Sequence, residues 1–592
     1  MNTTLLKVLF TAAAAVAAFD FCHASGPQGM LAGFCERTSL WPEGLMPDAQ
    51  PHQIAAVTEV SRAEGFEPDE WRRPYLEWRA PDSGVTNSRS CMILISGGGY
   101  EFLCDAAAVA RWSDAFTKLG VTCVNLVHRT PRPKNLPFYK SAWEDGQRAV
   151  RIVRSQAAAR GFDPERIGVM AVSAGAHLAT LLATSSQTRA YEPVDALDAD
   201  VPCHVNWACP FALAFALTDG IGATNSRDGD AADVMLDPLF AFDAKTPPMC
   251  LMHGGRDIYS PLASTRVYRR LREMKIPAEV HLHSDKPHGA FGFDRAVEFM
   301  RQMGFLAPLE PETNIRWDFP DNAVDASCRT MLWPDGKTPD RQNGQGEPWI
   351  EWHMPEKLKT RAVQIVFSGG GYKRCNHLSY EVTPVRKRLN DEGMAVVVLK
   401  YRAPRPAAPL EKHLTAWQDL QRAIRLVRRD APGRGLDPNR IGIMGSSAGG
   451  HLALLGATSS RRKTYRPVDD VDKLPCNVQW AVAFYPAYVL TDGADGPNSC
   501  GGNPDDARIV SDFSFDPDTC PVLFIHGDAD GYSAMGSVKV WEQLRRMGIQ
   551  GEVHTLATRG HCFQGKSSPG TGSRTCLDRI LEFIGRKGFN AP

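Results

Sequence analysis

The sequence predicts an α/β protein made of two tandem domains, each a mainly parallel sheet covered by helices on both faces. Three observations lead there. The chain has 592 residues, several times the usual size of one hydrophobic core, and its 43% hydrophobic and 23% charged composition is that of an ordinary globular protein. Its halves match segment by segment and in the same order. Arg37-Thr-Ser-Leu-Trp-Pro-Glu-Gly44 answers Arg329-Thr-Met-Leu-Trp-Pro-Asp-Gly336, and Thr130-Pro-Arg-Pro133 answers Ala403-Pro-Arg-Pro406. Gly161-Phe-Asp-Pro-Glu-Arg-Ile-Gly168 likewise answers Gly435-Leu-Asp-Pro-Asn-Arg-Ile-Gly442. A period of half the chain signals duplication of a whole domain rather than a short solenoid repeat. Within each half, finally, short apolar runs alternate with longer amphipathic ones, the rhythm of strands and covering helices.

In the first copy the expected strands are residues 92–95, 121–127, 167–172 and 249–252, continuously apolar as strands buried on both faces must be. Residues 142–160 and 416–429 carry apolar side chains at helical spacing with Arg and Gln opposite. Prolines and acids near 308–313 read as a linker, which places the domains at 25–310 and 311–592. Ahead of them, Lys7 and an apolar run from Val8 to Ala18, followed by small residues, read as a signal peptide over residues 1–24. That implies a secreted or periplasmic protein with no membrane attachment after cleavage.

Lys plus Arg equals Asp plus Glu at 67 each, so no net field draws the chain to nucleic acid or to an anionic membrane. Removal of residues 1–24 leaves 14 cysteines, seven in each half, with no CxxC pairs or Cys/His clusters of the zinc kind. No metal and no cofactor is expected. Export permits disulfides, and pairing Cys35 with Cys104 and Cys328 with Cys375 would pin each N-terminal arm beside its site.

The chemistry is concentrated in four segments per copy. A strand runs into Ala171-Val-Ser173-Ala-Gly175 in one copy and Gly445-Ser-Ser447-Ala-Gly449 in the other, each opening a helix. This is the nucleophile elbow, where small neighbours let a tight turn lift the Ser hydroxyl above the sheet. A hydroxyl needs a base to take its proton and an acid to orient that base. Asp257 and Asp530, after His253-Gly-Gly-Arg and His526-Gly-Asp-Ala, supply the acid; His288 and His561 supply the base. Asp528 is set aside because it aligns with Gly255, whereas Asp530 aligns with Asp257. Ser96-Gly-Gly-Gly-Tyr100 and Ser368-Gly-Gly-Gly-Tyr372 follow an early strand, where backbone amides can hold an oxyanion. The expected donors are the amides of Gly97, Gly98 and Ala174, and of Gly369, Gly370 and Ala448. His177 and His451 are expected to pack or hydrogen-bond rather than act as bases, and Arg129 and Arg402 to form structural ion pairs.

These motifs together, with Tyr401-Arg-Ala-Pro-Arg405 and Gly445-Ser-Ser-Ala-Gly-Gly-His-Leu452, resemble the bacterial secreted α/β-hydrolases of the acetylxylan and feruloyl-type esterase group. The resemblance covers nearly all of both halves and implies cofactor-free hydrolysis of acyl esters on plant polysaccharides such as xylan. An acylated polysaccharide or oligosaccharide is the implied partner. Two departures stand out: Ala171 replaces the leading Gly of the elbow, and Ser replaces the usual His of the oxyanion loop. The elbow methyl predicts the second site to be the faster on a simple ester, with both sites working independently. Residues 217–243 and 490–516 are expected to form pocket walls that favour acetyl or similarly short acyl groups. A serine peptidase or amidase on the same fold, or a catalytically silent carbohydrate-binding tandem, are the alternatives.

Overall fold

The computed structural model describes residues 31, 33–55, 74–104, 106–218, 234–308, 329–491, 507–563 and 573–588. The expected signal peptide lies outside these residues, as do all but one residue of the expected linker and the middle of both expected pocket walls.

In the first half, eight strands enter the main sheet: β1 (Glu36–Ser39), β2 (Tyr75–Arg79), β3 (Cys91–Ile95), β4 (Thr122–Val127), β5 (Ile167–Val172), β6 (Trp207–Phe211), β7 (Met249–Gly254) and β8 (Ala278–His283). The second half repeats them as β9 (Arg329–Met331), β10 (Trp349–His353), β11 (Val363–Phe367), β12 (Ala395–Lys400), β13 (Ile441–Ser446), β14 (Trp480–Phe484), β15 (Val522–Gly527) and β16 (Glu552–Leu556). From β3 to β8 and from β11 to β16 the strands are parallel, and their residues are almost all buried. Five long helices cover each half. They are α1 (Ala106–Thr117), α2 (Lys140–Ser155), α3 (Ala174–Thr184), α4 (Leu262–Glu273) and α5 (Phe293–Gln302), then α6 (Thr383–Asp391), α7 (Leu414–Asp430), α8 (Ala448–Thr458), α9 (Met535–Arg546) and α10 (Ser573–Arg586). The helix expected over 142–160 ends at Ser155, where turns take over ahead of Gly161 at positive φ. Among the described residues no helix is long and apolar enough to cross a membrane.

The halves are not separate sheets. The strand order is β1-β2-β4-β3-β5-β6-β7-β8-β16-β15-β14-β13-β11-β12-β10-β9, one sheet of 16 strands that reads the same from either end. At its centre β8 and β16 run antiparallel with His281 opposite His554. Joining there removes two exposed strand edges that would otherwise invite association. Glu279, His281 and His283 share one face with Glu552 and His554, and all five are buried. His281 Nδ1 meets His554 Nδ1 at 3.1 Å, His281 Nε2 reaches Glu279 Oε2 at 2.9 Å, and Ser284 Oγ donates to Glu552 Oε1 at 2.7 Å. On the other face α4 lies against α9. Thr265 Oγ1 and Arg266 Nη1 donate to Glu542 Oε1 at 3.0 and 2.8 Å, and Tyr268 Oη donates to Asp528 Oδ1 at 2.7 Å. Arg272 pairs with the same Asp528.

The shared motifs acquire structural roles. Arg129 is buried against Asp145 and Glu144, and Arg402 against Asp419. The Trp of each Leu-Trp-Pro motif closes the same cluster, with Trp41 Nε1 donating to Asp145 Oδ1 at 2.7 Å and Trp333 Nε1 to Asp419 Oδ1 at 2.8 Å. The expected Cys35–Cys104 bridge is not formed. The Cys35 thiol, just before β1, donates to Trp78 O at 3.6 Å, while Cys104 sits against Gly97 in the glycine loop. Cys328 is outside the described residues, and Cys375 accepts from Ser368 Oγ at 3.6 Å.

Asp528 and Arg272 are mostly buried, at 9% and 13% side-chain exposure. Breaking a buried pair leaves an uncompensated charge and costs about 3 kcal/mol or more. Asp528→Ala is therefore expected to lower stability in urea unfolding by about that amount; a change within the roughly 0.5 kcal/mol typical of neutral surface substitutions would mean that the junction does not rest on this pair.

Candidate active sites

Each site is built on a serine that the chain holds in an unfavourable conformation. β5 ends at Val172 and α3 starts at Ala174, so Ser173 alone makes the turn, at φ 61° and ψ −125°. Ser447 does the same between β13 and α8, at φ 57° and ψ −121°. Positive φ at a non-glycine residue costs on the order of 1–3 kcal/mol and persists only where the surroundings over-determine it. Here the Ser173 amide donates to Phe211 O at 3.0 Å and Ser447 N to Phe484 O at 2.9 Å, while the serine carbonyls accept from His177 N and His451 N at 3.1 Å.

Both expected bases and acids converge on these hydroxyls. His288 Nε2 lies 2.8 Å from Ser173 Oγ, and its Nδ1 lies 2.8 and 3.0 Å from the carboxylate oxygens of Asp257. His561 Nε2 lies 2.7 Å from Ser447 Oγ, and its Nδ1 lies 3.0 and 2.8 Å from Asp530. Each acid also accepts from a backbone amide two residues on, Tyr259 N or Tyr532 N, at 2.8 Å, and faces a buried histidine, His253 or His526, at 3.4 Å. Burial opposes ionisation of these carboxyls, yet the two neighbouring histidines outweigh it and hold both well below the usual carboxylate range. For His561, burial disfavours the imidazolium, but the hydrogen bond to Asp530, with a further contribution from Cys562, pushes it up to about 9.

The glycine loops lie directly on the nucleophiles. A methyl group at Gly97 would stand 2.9 Å from Ser173 Cβ, and one at Gly369 would stand 2.8 Å from Ser447 Cβ, so no larger residue fits. The loop tyrosines anchor it: Tyr100 Oη is 2.8 Å from His177 Nδ1, and Tyr372 Oη is 2.8 Å from His451 Nδ1. Burial pushes His177 down to about 3 and lowers His451 as well, so both are neutral packing partners as expected. Gly369 departs from expectation. Its amide donates to Glu381 Oε2 at 2.7 Å, because this buried carboxylate takes whatever donors it finds, and Tyr485 Oη donates to Oε1 at 3.1 Å. The Gly369 amide is thus already engaged by this side chain. The matching positions in the first copy are Ala108 and Ala212.

The Ala171 methyl does not distort its elbow, since the two serines agree within a few degrees. A methyl at Gly445 would meet Gly449 O of its own elbow at 2.3 Å and the Phe367 ring of the neighbouring strand at 2.5 Å, whereas the residue paired with Ala171 is the smaller Ile95. Behind Ser447, His413, His451 and Asp512 bring potential ligand atoms together, as do Cys250, Glu279 and His281, and His283, Glu552 and His554, at the junction. In the first of these, Asp512 Oδ2 lies 3.4 Å from His451 Nε2 and 3.5 Å from His413 Nδ1, so the three groups already face one another.

Over 155 residues, 26% of this chain and 28% of the relative, the sequence is 29% identical to the acetylxylan esterase of Xylanibacter ruminicola. Over 142 residues, 24% of this chain and 32% of the relative, it is 31% identical to esterase LipQ of Mycobacterium tuberculosis. The chain thus spans about a third of the length of these relatives. Among solved structures, the acetyl ester-xyloside bifunctional hydrolase of Caldicellulosiruptor lactoaceticus is 26% identical, with a TM-score of 0.36 over 44% of this chain and 96% of that one. The BD-FAE family model matches residues 80–271 and again 350–536, one match in each half and together more than half of the chain. The chain belongs to the BD-FAE family, which it carries twice.

Proposed function

We propose that the protein is a secreted carboxylic ester hydrolase with two serine centres, removing acetyl or other short or aromatic acyl groups from plant-type polysaccharides such as xylan. The observation that carries this reading is the unbroken Ser–His–Asp hydrogen-bonded chain on each positive-φ elbow. The name of the Xylanibacter relative supports the substrate class. Each Ser Oγ attacks the ester carbonyl while the His Nε2 beside it takes the proton. The Asp fixes the imidazole by accepting from Nδ1–H and stabilises the cation that forms. The tetrahedral oxyanion turns to the amides of Gly97, Gly98 and Ala174 in one site, and of Gly370 and Ala448 in the other. His then protonates the departing alcohol, and water, activated by the same Nε2, releases the acyl group.

Removing a triad serine costs roughly four to six orders of magnitude at its own site, because attack, proton transfer and orientation act as a unit. Ser173→Ala is expected to leave the turnover of the Ser447 site, Ser447→Ala that of Ser173, and the double variant almost none. Complete loss from either single variant in folded protein would reduce the enzyme to one working site. The chain carrying Ser173→Ala also reports the titration of His561. Its imidazole must be neutral to accept a proton, and with the group held near 9 it is mostly charged at neutral pH. The kcat/KM of this variant is expected to climb with pH and level off only beyond about 9. A limb at the ordinary histidine value would show that His561 titrates without the push from Asp530.

A further inference from the structure

The two sites share their machinery but not their mouths. In the first, the residues after Tyr100 are Glu101 and Phe102, and the residue after Asp257 is Ile258. Phe102 is 57% exposed and Ile258 43%, two of the few large apolar side chains that the described surface leaves in water. Glu101 neutralises Arg132, with Oε1 3.1 Å from Nε. Arg132 in turn lies over the rings of Phe138 and Phe215, at 5.3 and 5.4 Å. The wall continues from Phe138 to Phe215, Tyr259 and His288 at ring separations of 5.3, 5.2 and 5.2 Å, so it is aromatic up to the base.

The second site keeps this frame and reverses its character. Gly98 O accepts from residues 101 and 102, and Gly370 O from residues 373 and 374, so Glu101 corresponds to Lys373 and Phe102 to Arg374. Both basic residues are exposed, as is Arg405, the counterpart of Arg132. Ile258 is replaced by Gly531, and Phe138, two residues before α2, by Lys412, two residues before α7. Lys412 Nζ stands 4.0 Å from the Tyr488 ring, and Tyr488, Tyr532 and His561 follow at 5.4 and 5.1 Å. The amine thus occupies the place of an aromatic ring on the wall that leads to the base. Of the described acids nearby, Glu411 pairs with His413 and Arg462; Asp512 faces His413 and His451 and also attracts Lys412, and Glu381 holds the Gly369 amide and also attracts Arg374, so the four basic residues still outnumber the acids that reach them.

We propose that the two sites divide the substrate by charge: the Ser447 site, rimmed by Lys373, Arg374, Arg405 and Lys412, takes esters on carboxylate-bearing sugars, and the Ser173 site takes esters presenting a neutral, apolar face. This rests on the esterase reading given above. Arginine binds a carboxylate through paired donors, and a cluster of one sign in a cleft steers anions toward it. An exposed Phe and Ile gain instead from covering an aromatic acyl group or the flat face of a neutral sugar.

The test compares kcat/KM on acetylated xylo-oligosaccharides with and without a uronic acid branch, in full-length chains carrying Ser173→Ala or Ser447→Ala. With Ser173→Ala the acidic substrate is expected to be favoured about tenfold at low ionic strength, and the advantage to shrink toward one at about 1 M salt. Adding Arg374→Glu to that chain should erase the advantage through KM rather than kcat. With Ser447→Ala the ratio is expected to be one or below. Equal ratios in the two chains, or a ratio indifferent to salt and to Arg374→Glu, would overturn the division. If neither chain turned over either ester, the esterase reading would be the one to fail. Calorimetric titration of the same chains with the deacetylated acidic oligosaccharide would still decide the charge preference: binding weakened by Arg374→Glu would uphold it, and binding indifferent to that change would overturn it.

Discussion

The structure depends on a single constraint met twice: a serine turned to positive φ in the one residue between a buried strand and a buried helix. A side chain there cannot lie back along the helix and must stand above the sheet, where loops from elsewhere in the chain can reach it. Those loops are placed to suit. The glycine loop follows β3 or β11, adjacent to the elbow strand; the acid follows β7 or β15, and the base follows β8 or β16. Parallel strands bring all these C-terminal ends to one edge, which is where a doubly covered sheet leaves a crevice open. The strain at the serine is retained because the amide, the carbonyl and the packed glycines around it leave no alternative.

The second organising feature is the antiparallel meeting of β8 and β16. It turns two copies of one fold into a single sheet with an approximate twofold relation, and it fixes the base of each site to the same rigid centre, since His288 and His561 follow the two junction strands by a few residues. The polar side chains at this seam are costly to bury unless paired, and several are paired across it: Asp528 to Tyr268 and Arg272, Glu542 to Thr265 and Arg266, His554 to His281; the buried His283 ring makes no such hydrogen bond.

Much of this was legible in the sequence. β5 spans the residues expected, because a strand covered on both faces is apolar throughout and its end is marked by the elbow. The order of nucleophile, acid and base could be read because each follows its strand by a short, Gly-marked turn. What escaped was the pairing of distant edges. β8 and β16 share a Glu-Val-His and alternate polar with apolar residues, so they lack the continuous apolar run that marked the expected strands. Asp528 was discarded because its counterpart is Gly255, yet that difference arises because it serves the junction. Glu381 sits in the longer loop of the second copy, where the first has Ala108, and nothing local marks a carboxylate that turns back onto the Gly369 amide. The cysteine pairing failed for a related reason: matching positions in two copies do not reveal which thiols face one another.

The central claim is that both elbows hold activated serines in the same folded chain. Intact-mass measurement after exhaustive reaction with a fluorophosphonate tests it directly, since the reagent modifies a serine only where a base is poised beside it. Two adducts per chain, mapped to Ser173 and Ser447, are predicted. A single adduct, or none on folded protein, would contradict the account.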